Sequence, residues 1–482
     1  MITFLLNQTP VQIHEAAPSL SVLDWLRTKS AQRGTKEGCA SGDCGACTVV
    51  IGAPGDHGVE YRHVNACLML VGQLHGKHLI TVEGLSEPSA QTPEQLHPVQ
   101  RAMVECHGSQ CGFCTPGFIM SMFALYMNFD QCPPRDTVIA HLGGNLCRCT
   151  GYRPILDACE RMYEYPRSSD TFRPAAQAFF DARQPTPAVM SEGPRQFTAP
   201  ESLAELLKLR QQWPDARLIA GGTDLSLAFT QALETPAQVI SLTDVAELQQ
   251  MTEHNDCLEI GAAVSYERFL PTLLQHYQEA EEMFHRLGSK QIRHSGTLGG
   301  SLGNASPIGD PAPLLLALQA DLQLVGPGGS RWVPVSEFFL AYRETVLKDD
   351  EVIASVRVPK RRPSQALYCY KISKRIEDDI STVLLVLSFD ITDGHMHNVR
   401  SGFGGMAAIP MSSESLNAAL EGQPLTLDTL EQAGQVLADD FNPMSDVRAT
   451  RQYRLQVCQN LLLRVGYEQQ AMAQVRIQHA AL

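Results

Sequence analysis

Eight cysteines in the first third of the chain fall into two sets of four, and any fold for this sequence has to gather them. In KEGCASGDCGACTVV (36 to 50) the spacing is Cys39-x4-Cys44-x2-Cys47, with Cys67 following after nineteen intervening residues. The second set joins GSQCGFCTPGF (108 to 118) to GGNLCRCTGYRPI (143 to 155), giving Cys111-x2-Cys114 and Cys147-x-Cys149. The first spacing is that of plant-type [2Fe–2S] ligands, where one loop wraps a cluster and a fourth thiolate arrives from another segment. Zinc is the alternative, but zinc sites favour paired C-x2-C knuckles or added His. No His lies between Cys39 and Cys47. Gly34, Gly38, Gly42 and Gly45 let backbone N–H groups turn toward a sulfide-rich anion, where a Cβ would collide.

Both halves of the second set precede helix-like stretches, residues 118–128 and 154–163. Two helix N-termini converging on one anion would offer unpaired N–H groups and positive dipole ends. Pro116 and Pro154 suit first-turn positions, which need no N–H. A reactive C-x-x-C dithiol is the alternative for Cys111 and Cys114, but it leaves Cys147 and Cys149 unexplained. The six other cysteines (Cys106, Cys132, Cys159, Cys257, Cys369 and Cys458) read as buried small hydrophobes or incidental thiols.

At 482 residues the chain exceeds one hydrophobic core, so several domains are expected. Lys plus Arg number 38 against 52 Asp plus Glu, a formal charge of -14 that argues against nucleic-acid or anionic-membrane partners. The start, MITFLLNQTPVQI, lacks a signal-peptide pattern and reads as two strands around a turn. No apolar run approaches the ~20 residues of a membrane helix, and a cytoplasmic location is expected. In that compartment 14 cysteines fit metal better than disulfides.

Periodicity divides the chain. Residues 1–80 read as a β-rich unit with strands at 2–6, 48–51 and 78–82 and a helix at 22–28. Residues 81–163 turn helical, with stretches at 98–105, 118–128, 137–142 and 154–163. The aperiodic, Pro- and Ser-containing 164–194 reads as a linker. Residues 195–363 alternate helices and short strands around glycine-rich turns. The last segment, 368–482, opens with a strand at 382–391 and closes with two helix-like stretches.

Two glycine-rich segments suggest a phosphate-bearing cofactor. LIAGGTDL (218 to 225) runs a strand into the turn Gly221, Gly222 and Thr223, where freed N–H groups and a hydroxyl could receive phosphate. GTLGGSLGNASPIGDPAP (296 to 313) adds glycines for close backbone approach, hydroxyls at Thr297, Ser301 and Ser306, and Asp310 as an acceptor. Neither segment is a GxGxxG fingerprint, which disfavours a Rossmann fold.

Taken in this order, the ferredoxin spacing followed by QCGFCTPG and GNLCRCTGY resembles the iron–sulfur half of the molybdenum hydroxylases. That family includes xanthine dehydrogenases, aldehyde oxidoreductases and carbon monoxide dehydrogenases. The two glycine-rich segments resemble its flavin-binding segments, and SDVRATRQYR (445 to 454) its closing domain, where a structural role is implied. The resemblance implies a multidomain α+β chain. Its parts are a β-grasp plant-type ferredoxin domain, a four-helix [2Fe–2S] domain, a vanillyl-alcohol-oxidase-type (PCMH-like) FAD domain and a C-terminal α+β domain of the CO dehydrogenase flavoprotein type.

The same resemblance implies that Cys39, Cys44, Cys47 and Cys67 hold one [2Fe–2S] cluster, on the flavin side. Cys111, Cys114, Cys147 and Cys149 hold the other, on the molybdenum side, with Gln110 near the molybdopterin. FAD contacts are implied for Leu218, Ile219, Ala220, Gly221, Gly222, Thr223, Asp224 and Leu225. Further contacts are implied for Thr297, Leu298, Gly299, Gly300, Ser301, Asp310, Ile353 and Lys371. Leu287 stands where animal members place a Phe against the flavin ring.

The loop YKISKRIEDDIS (370 to 381) resembles a segment near the flavin, and its bland reading is a solvated loop with surface ion pairs. The sequence ends at Leu482 without molybdopterin domains, as in the small subunit of bacterial xanthine dehydrogenases. The implied partner is a molybdopterin-binding large subunit in a heterotetramer or larger assembly, oxidising hypoxanthine or xanthine. Electrons would then pass through both clusters and FAD to NAD+, with no acid–base catalyst in this chain. An aldehyde or N-heterocycle hydroxylase is the alternative enzyme, and a zinc-stabilised interaction module the non-enzymatic one.

Overall fold

The computed structural model describes residues 1–55, 58–87, 89–183 and 186–469, which form two compact units. The first comprises Met1–Gln249, Ala263–Arg268 and Gly288–Thr297. The second comprises Gln250–Ala262, Phe269–Leu287 and the chain from Leu298 onward.

The first unit begins with a five-stranded sheet ordered Thr9–Ile13, Ile2–Leu6, His78–Ile80, Thr48–Gly55, Gly58–Asn65. Ile2–Leu6 pairs parallel with His78–Ile80 and the other neighbours run antiparallel, the mixed order of a β-grasp. Helix Val22–Thr28 covers it. Ser21 caps its start by accepting from the Asp24 N–H, and Val22, Leu23, Trp25 and Leu26 join Ile2 and Phe4 in one core. The strand expected at 78–82 ends at Ile80, because Val82–Gly84 forms a 3-10 turn.

Four helices follow: Pro98–Glu105, Thr115–Asn128, Arg135–Leu142 and Arg153–Arg161. The second is buried from Gly117 to Met127, so it is the hydrophobic axis of this domain. It starts before the expected 118 because Thr115, Pro116 and Gly117 belong to the first turn but carry no apolar period.

The stretch 164–194, expected as a linker, carries helix Phe172–Ala182 and strand Ala188–Glu192. Phe172, Ala176 and Phe180 recur at i, i+4 and i+8 and seat the helix in the four-helix core. The intervening Arg, Pro and Gln conceal that stripe in the sequence. The strand joins Arg195–Ala199, Gln238–Ser241 and Arg217–Ile219 in a four-stranded sheet, whose last three members run parallel.

The second unit holds a five-stranded antiparallel sheet, ordered Met251–Glu253, Cys257–Gly261, Val352–Pro359, Asp321–Gly326, Gly329–Pro334. Beyond it lies a meander of Gln365–Ile372, Val383–Thr392 and His395–Gly404. The run VLLVLSFD in its central strand is buried throughout. Four helices follow, Glu414–Leu420, Leu427–Gln435, Leu437–Asp440 and Arg451–Gln469, where two were expected. The shorter ones are too brief to show a period. Residues 470–482 of the expected C-terminal domain lie outside the described residues, as do 184–185 of the expected linker. Among the described residues no helix is long and apolar enough to cross a membrane.

Candidate iron–sulfur and flavin sites

The eight cysteines gather as their spacing predicts, and within each set the sulfurs stand in pairs. Cys47 and Cys67 meet at 3.3 Å, and Cys39 interacts with Cys44. In the second set Cys149 and Cys111 meet at 3.3 Å, and Cys114 interacts with Cys147. Among the described residues no three His, Cys, Asp or Glu side chains close on a single ion. Two pairs of thiolates per set suit a two-iron centre, in which each iron needs two protein sulfurs beside its bridging sulfides.

The electrostatics fit the same donor set. Sulfurs this close cannot all ionise unaided, so each pair splits into a thiolate and a thiol. A hydrogen bond from Cys44 lowers Cys39 to about 4, while the same bond raises Cys44. Cys67 likewise lowers Cys47 and is itself raised. In the second set the Phe113 N–H lowers Cys111, and Cys149 is raised by its bond to Cys111. Burial, then Cys147, raises Cys114 to about 12. Burial also pushes Cys147 upward, but bonds from the Thr150 hydroxyl and amide outweigh it and leave the thiol at about 7. Cations between the sulfurs would remove the conflict.

Local structure supplies the cradle. The amides of Ser41 and Cys44 both donate to the Cys39 sulfur at 3.4 Å. A Cβ on Gly38 would lie 2.8 Å from the Cys44 sulfur. Cys114 is the N-cap of helix Thr115–Asn128, and Tyr152, at φ 69°, precedes helix Arg153–Arg161. The Cys147 amide donates to the Tyr152 hydroxyl at 3.0 Å.

The two sulfur loops also touch each other. The Leu146 amide donates to the Cys44 carbonyl at 3.0 Å. A Cβ on Gly45, at φ +68°, would lie 2.2 Å from the Gly144 carbonyl oxygen. A polar node with no linear signature braces this contact. Asn145 donates to the Gly45 carbonyl (3.0 Å) and Thr48 (3.2 Å) and accepts from Ser121 (2.6 Å). Gln291, buried at 0%, donates to Asn145 at 3.1 Å. Beside it His63, His141 and His294 meet ring to ring at 5.4 and 5.0 Å. Scattered polar residues with no mutual period leave no trace in a linear reading.

Of the remaining cysteines, Cys159, Cys257, Cys369 and Cys458 are buried as expected and Cys106 is half-buried in the helical core. Cys132 is exposed.

The expected flavin contacts divide between the units. Leu218, Ile219, Ala220, Gly221, Gly222, Thr223, Asp224, Leu225 and Thr297 belong to the first. Strand Arg217–Ile219 enters a turn with Gly222 at φ +73° and leaves through helix Leu225–Thr230. A Cβ on Gly221 would lie 1.8 Å from the Ser295 carbonyl oxygen, so backbone meets backbone there. Ile219 points into the hydrophobic core at 1% exposure and can offer a ligand only its backbone.

Leu287, Leu298, Gly299, Gly300, Ser301, Asp310, Ile353 and Lys371 belong to the second unit. The glycine-rich segment forms helix Leu298–Asn304, with Leu298, Gly299 and Leu302 inward and Gly300 and Gly303 exposed one turn apart. Asp310 and Lys371 form a buried ion pair at 2.6 Å, and Ser381 donates to the other Asp310 oxygen at 2.5 Å. The Lys371 ammonium also donates to the Arg286 carbonyl at 3.0 Å, directly before half-buried Leu287. Asp310 is thus already engaged by two donors. In the closing domain Arg454, 2% exposed, donates to the carbonyls of Thr382 and Gly405 (2.9 Å) and to Asp446 (2.8 Å), the structural role expected there.

Four family models match consecutive parts of the chain. They are a 2Fe-2S iron-sulfur cluster binding domain over 4–72, a [2Fe-2S] binding domain over 81–160, the FAD binding domain in molybdopterin dehydrogenase over 192–361, and the CO dehydrogenase flavoprotein C-terminal domain over 368–469. Xanthine dehydrogenase of Drosophila subobscura is 32% identical over 501 residues, covering 92% of this chain and 37% of its own. Aldehyde oxidase 1 of Rattus norvegicus is 28% identical over 500 residues, covering 91% and 37%. The chain therefore spans little more than a third of the length of these curated relatives. Among solved structures, carbon monoxide dehydrogenase from Hydrogenophaga pseudoflava aligns with TM-score 0.53 and 25% identity, over 56% of this chain and 94% of that one. Quinoline 2-oxidoreductase from Pseudomonas putida 86 gives TM-score 0.53 and 26% identity, over 57% and 98%.

Proposed function

The chain belongs to the molybdenum hydroxylase family, as its iron–sulfur and FAD-binding part, and from that premise we propose that it is the electron-transfer part of a xanthine dehydrogenase. Hypoxanthine or xanthine would be oxidised at a molybdopterin centre on a partner chain, with NAD+ as the final acceptor, in the cytoplasm. The observation that carries this reading is the pairing of eight sulfurs into two two-iron donor sets. When bound, the clusters supply one-electron chemistry and FAD the junction with two-electron chemistry.

The chain's own residues hold and separate these groups. Cys39, Cys44, Cys47 and Cys67 would ligate the first cluster, and Cys111, Cys114, Cys147 and Cys149 the second. The turn at Gly221, Gly222 and Thr223 would receive the FAD phosphates through backbone N–H groups. The exposed Gly300 and Gly303 face admits close approach of a flat ligand, and the Asp310–Lys371 pair fixes a cation beside Leu287. No side chain of this chain is assigned a proton-transfer role.

The test is iron, sulfide and flavin quantification with EPR of the dithionite-reduced protein, followed by a substrate screen on the complex purified from its host. Two distinct [2Fe–2S] signals with stoichiometric FAD, and xanthine turnover reducing NAD+, are expected. A single signal at full iron content would overturn the relay. A second reading changes only the substrate to an aldehyde or N-heterocycle. Its support is that an aldehyde oxidase and a quinoline oxidoreductase are among the similar proteins. Turnover of those compounds in place of xanthine would select it.

A further inference from the structure

Behind the Gly221 turn the first unit holds a partly open cavity of about 520 Å3. Gly221 alone among the proposed flavin contacts lines it, so it is a space apart from the flavin site. Its charge is lopsided: Arg62, Lys77, Arg183 and Arg268 stand against Glu60 and Asp244. The cations sense one another, since Arg268 acts on Arg62, and both Arg62 and Arg183 act on Lys77.

These charges are poorly compensated. Among the described residues no hydrogen bond or ion pair engages the Arg62 guanidinium, whose Nε is buried without a partner, as is the Arg183 Nε. Lys77, 9% exposed, donates to the Gln73 carbonyl at 2.6 Å and reaches Asp244 only at 3.4 Å. Burial lowers both Arg62 and Lys77; Asp244 opposes it at both and Glu60 at Arg62, while the neighbouring cations add to it. Cations clustered around buried Lys77 and half-buried Arg62 cost stability unless an anion joins them.

We propose that this cavity binds a phosphate-bearing small molecule of mononucleotide size, with its phosphate held by Arg62, Lys77 and Arg268. Four cations line the cavity against two carboxylates, and that surplus matches an oxyanion with several acceptor oxygens. The volume leaves room beyond a phosphate group, and Ile51, Val64 and Met69 give that room an apolar wall.

The test uses the full chain saturated with iron and FAD, so that the flavin's own phosphate site is filled. Inorganic phosphate and AMP are titrated at constant ionic strength against chloride, with 31P line broadening and thermal shift as readouts. Both probes are expected to bind, AMP about tenfold tighter, and Arg62→Gln to weaken AMP about tenfold while flavin content stays unchanged. Equal affinities for the two probes would support an inorganic oxyanion as the occupant and overturn the mononucleotide size. Arg268→Gln, at an exposed position, repeats the test without risk to folding. Absence of broadening with either probe, or unchanged affinity in both variants, would overturn the proposal.

Discussion

Cys47 and Cys67 sit at 2% and 1% exposure beneath the sheet of the first domain, whereas Cys111 and Cys149 stand at the surface beside two helix starts. The first set is wrapped by a loop that arrives from a helix and leaves as a strand, so Cys47 and Cys67 belong to the same core as Phe4 and Trp25, while Cys39 and Cys44 are half-buried. The second set hangs on helix termini, and Gly112 and Gly151 beside it face open space. Each set thus has buried members, Cys47 and Cys67 in one and Cys147 in the other, but only the second also has exposed ones, Cys111 and Cys149. The first arrangement ties the cysteines to folding, and the second leaves them accessible.

The sharpest way to break this comparison is to remove one sulfur from each set. Cys47→Ser is expected to lose about half the iron and one EPR signal, and to destabilise the fold by about 2–5 kcal/mol in denaturant titrations. Cys149→Ser should lose the other signal with the melting temperature nearly unchanged. In the intact protein a chelator should strip iron from the second set first, followed as sequential loss of the two EPR signals. Equal rates would show that exposure does not govern release.

Next come the glycines. Gly45→Ala places a Cβ 2.2 Å from a carbonyl at φ +68°, so a loss of about 3 kcal/mol or more is expected in thermal melts. Gly112→Ala, at φ +83° but with no atom within 4 Å, should cost only about 1 kcal/mol.

The histidines at the join of the two domains give a pH test. Burial holds His141 at about 3 and His294 at about 4, and holds His63 well below its ordinary value. Lys290 adds to the effect at all three, Arg293 adds at His63, and Glu267 opposes it at His141 and His294. The unfolded chain takes up protons below about pH 6.5 that the folded chain refuses. Stability is therefore full above that pH and falls as pH drops toward 4, by at most on the order of 3 kcal/mol per histidine. His63→Leu should flatten the acid limb of a plot of melting temperature against pH, and an unchanged limb would sink this account.

The smallest effect is expected at Gln291. Gln291→Leu removes a donor to Asn145 but also an Oε1 buried without a partner, so the net cost should be about 1 kcal/mol by thermal melt. Both EPR signals should survive it.

What the sequence revealed follows the same division. Cysteine spacing marked out both sets of four sulfurs that the fold brings together, because coordination to a two-iron centre would restrict how far apart ligands can stand. The helix at Pro98–Glu105 was legible because its apolar period is unbroken, and the central strand of the meander because its apolar run is. Helix Phe172–Ala182 was not, since its stripe rests on three residues among Arg, Pro and Gln. The node of Asn145, Ser121, Thr48 and Gln291 was hidden for another reason: its members lie up to 243 positions apart and come from three different domains. The Asp310–Lys371 pair illustrates the third case, in which both residues were singled out but their bond to each other was not.

The sealing of Cys47 and Cys67 also fixes a chronology. A metal could not reach these two sulfurs once the core has formed around them, so a centre held by this set would have to be inserted while the polypeptide is still maturing. The outlying quartet, open to solvent through Cys111 and Cys149, can be charged later and restored after oxidative damage without undoing the rest.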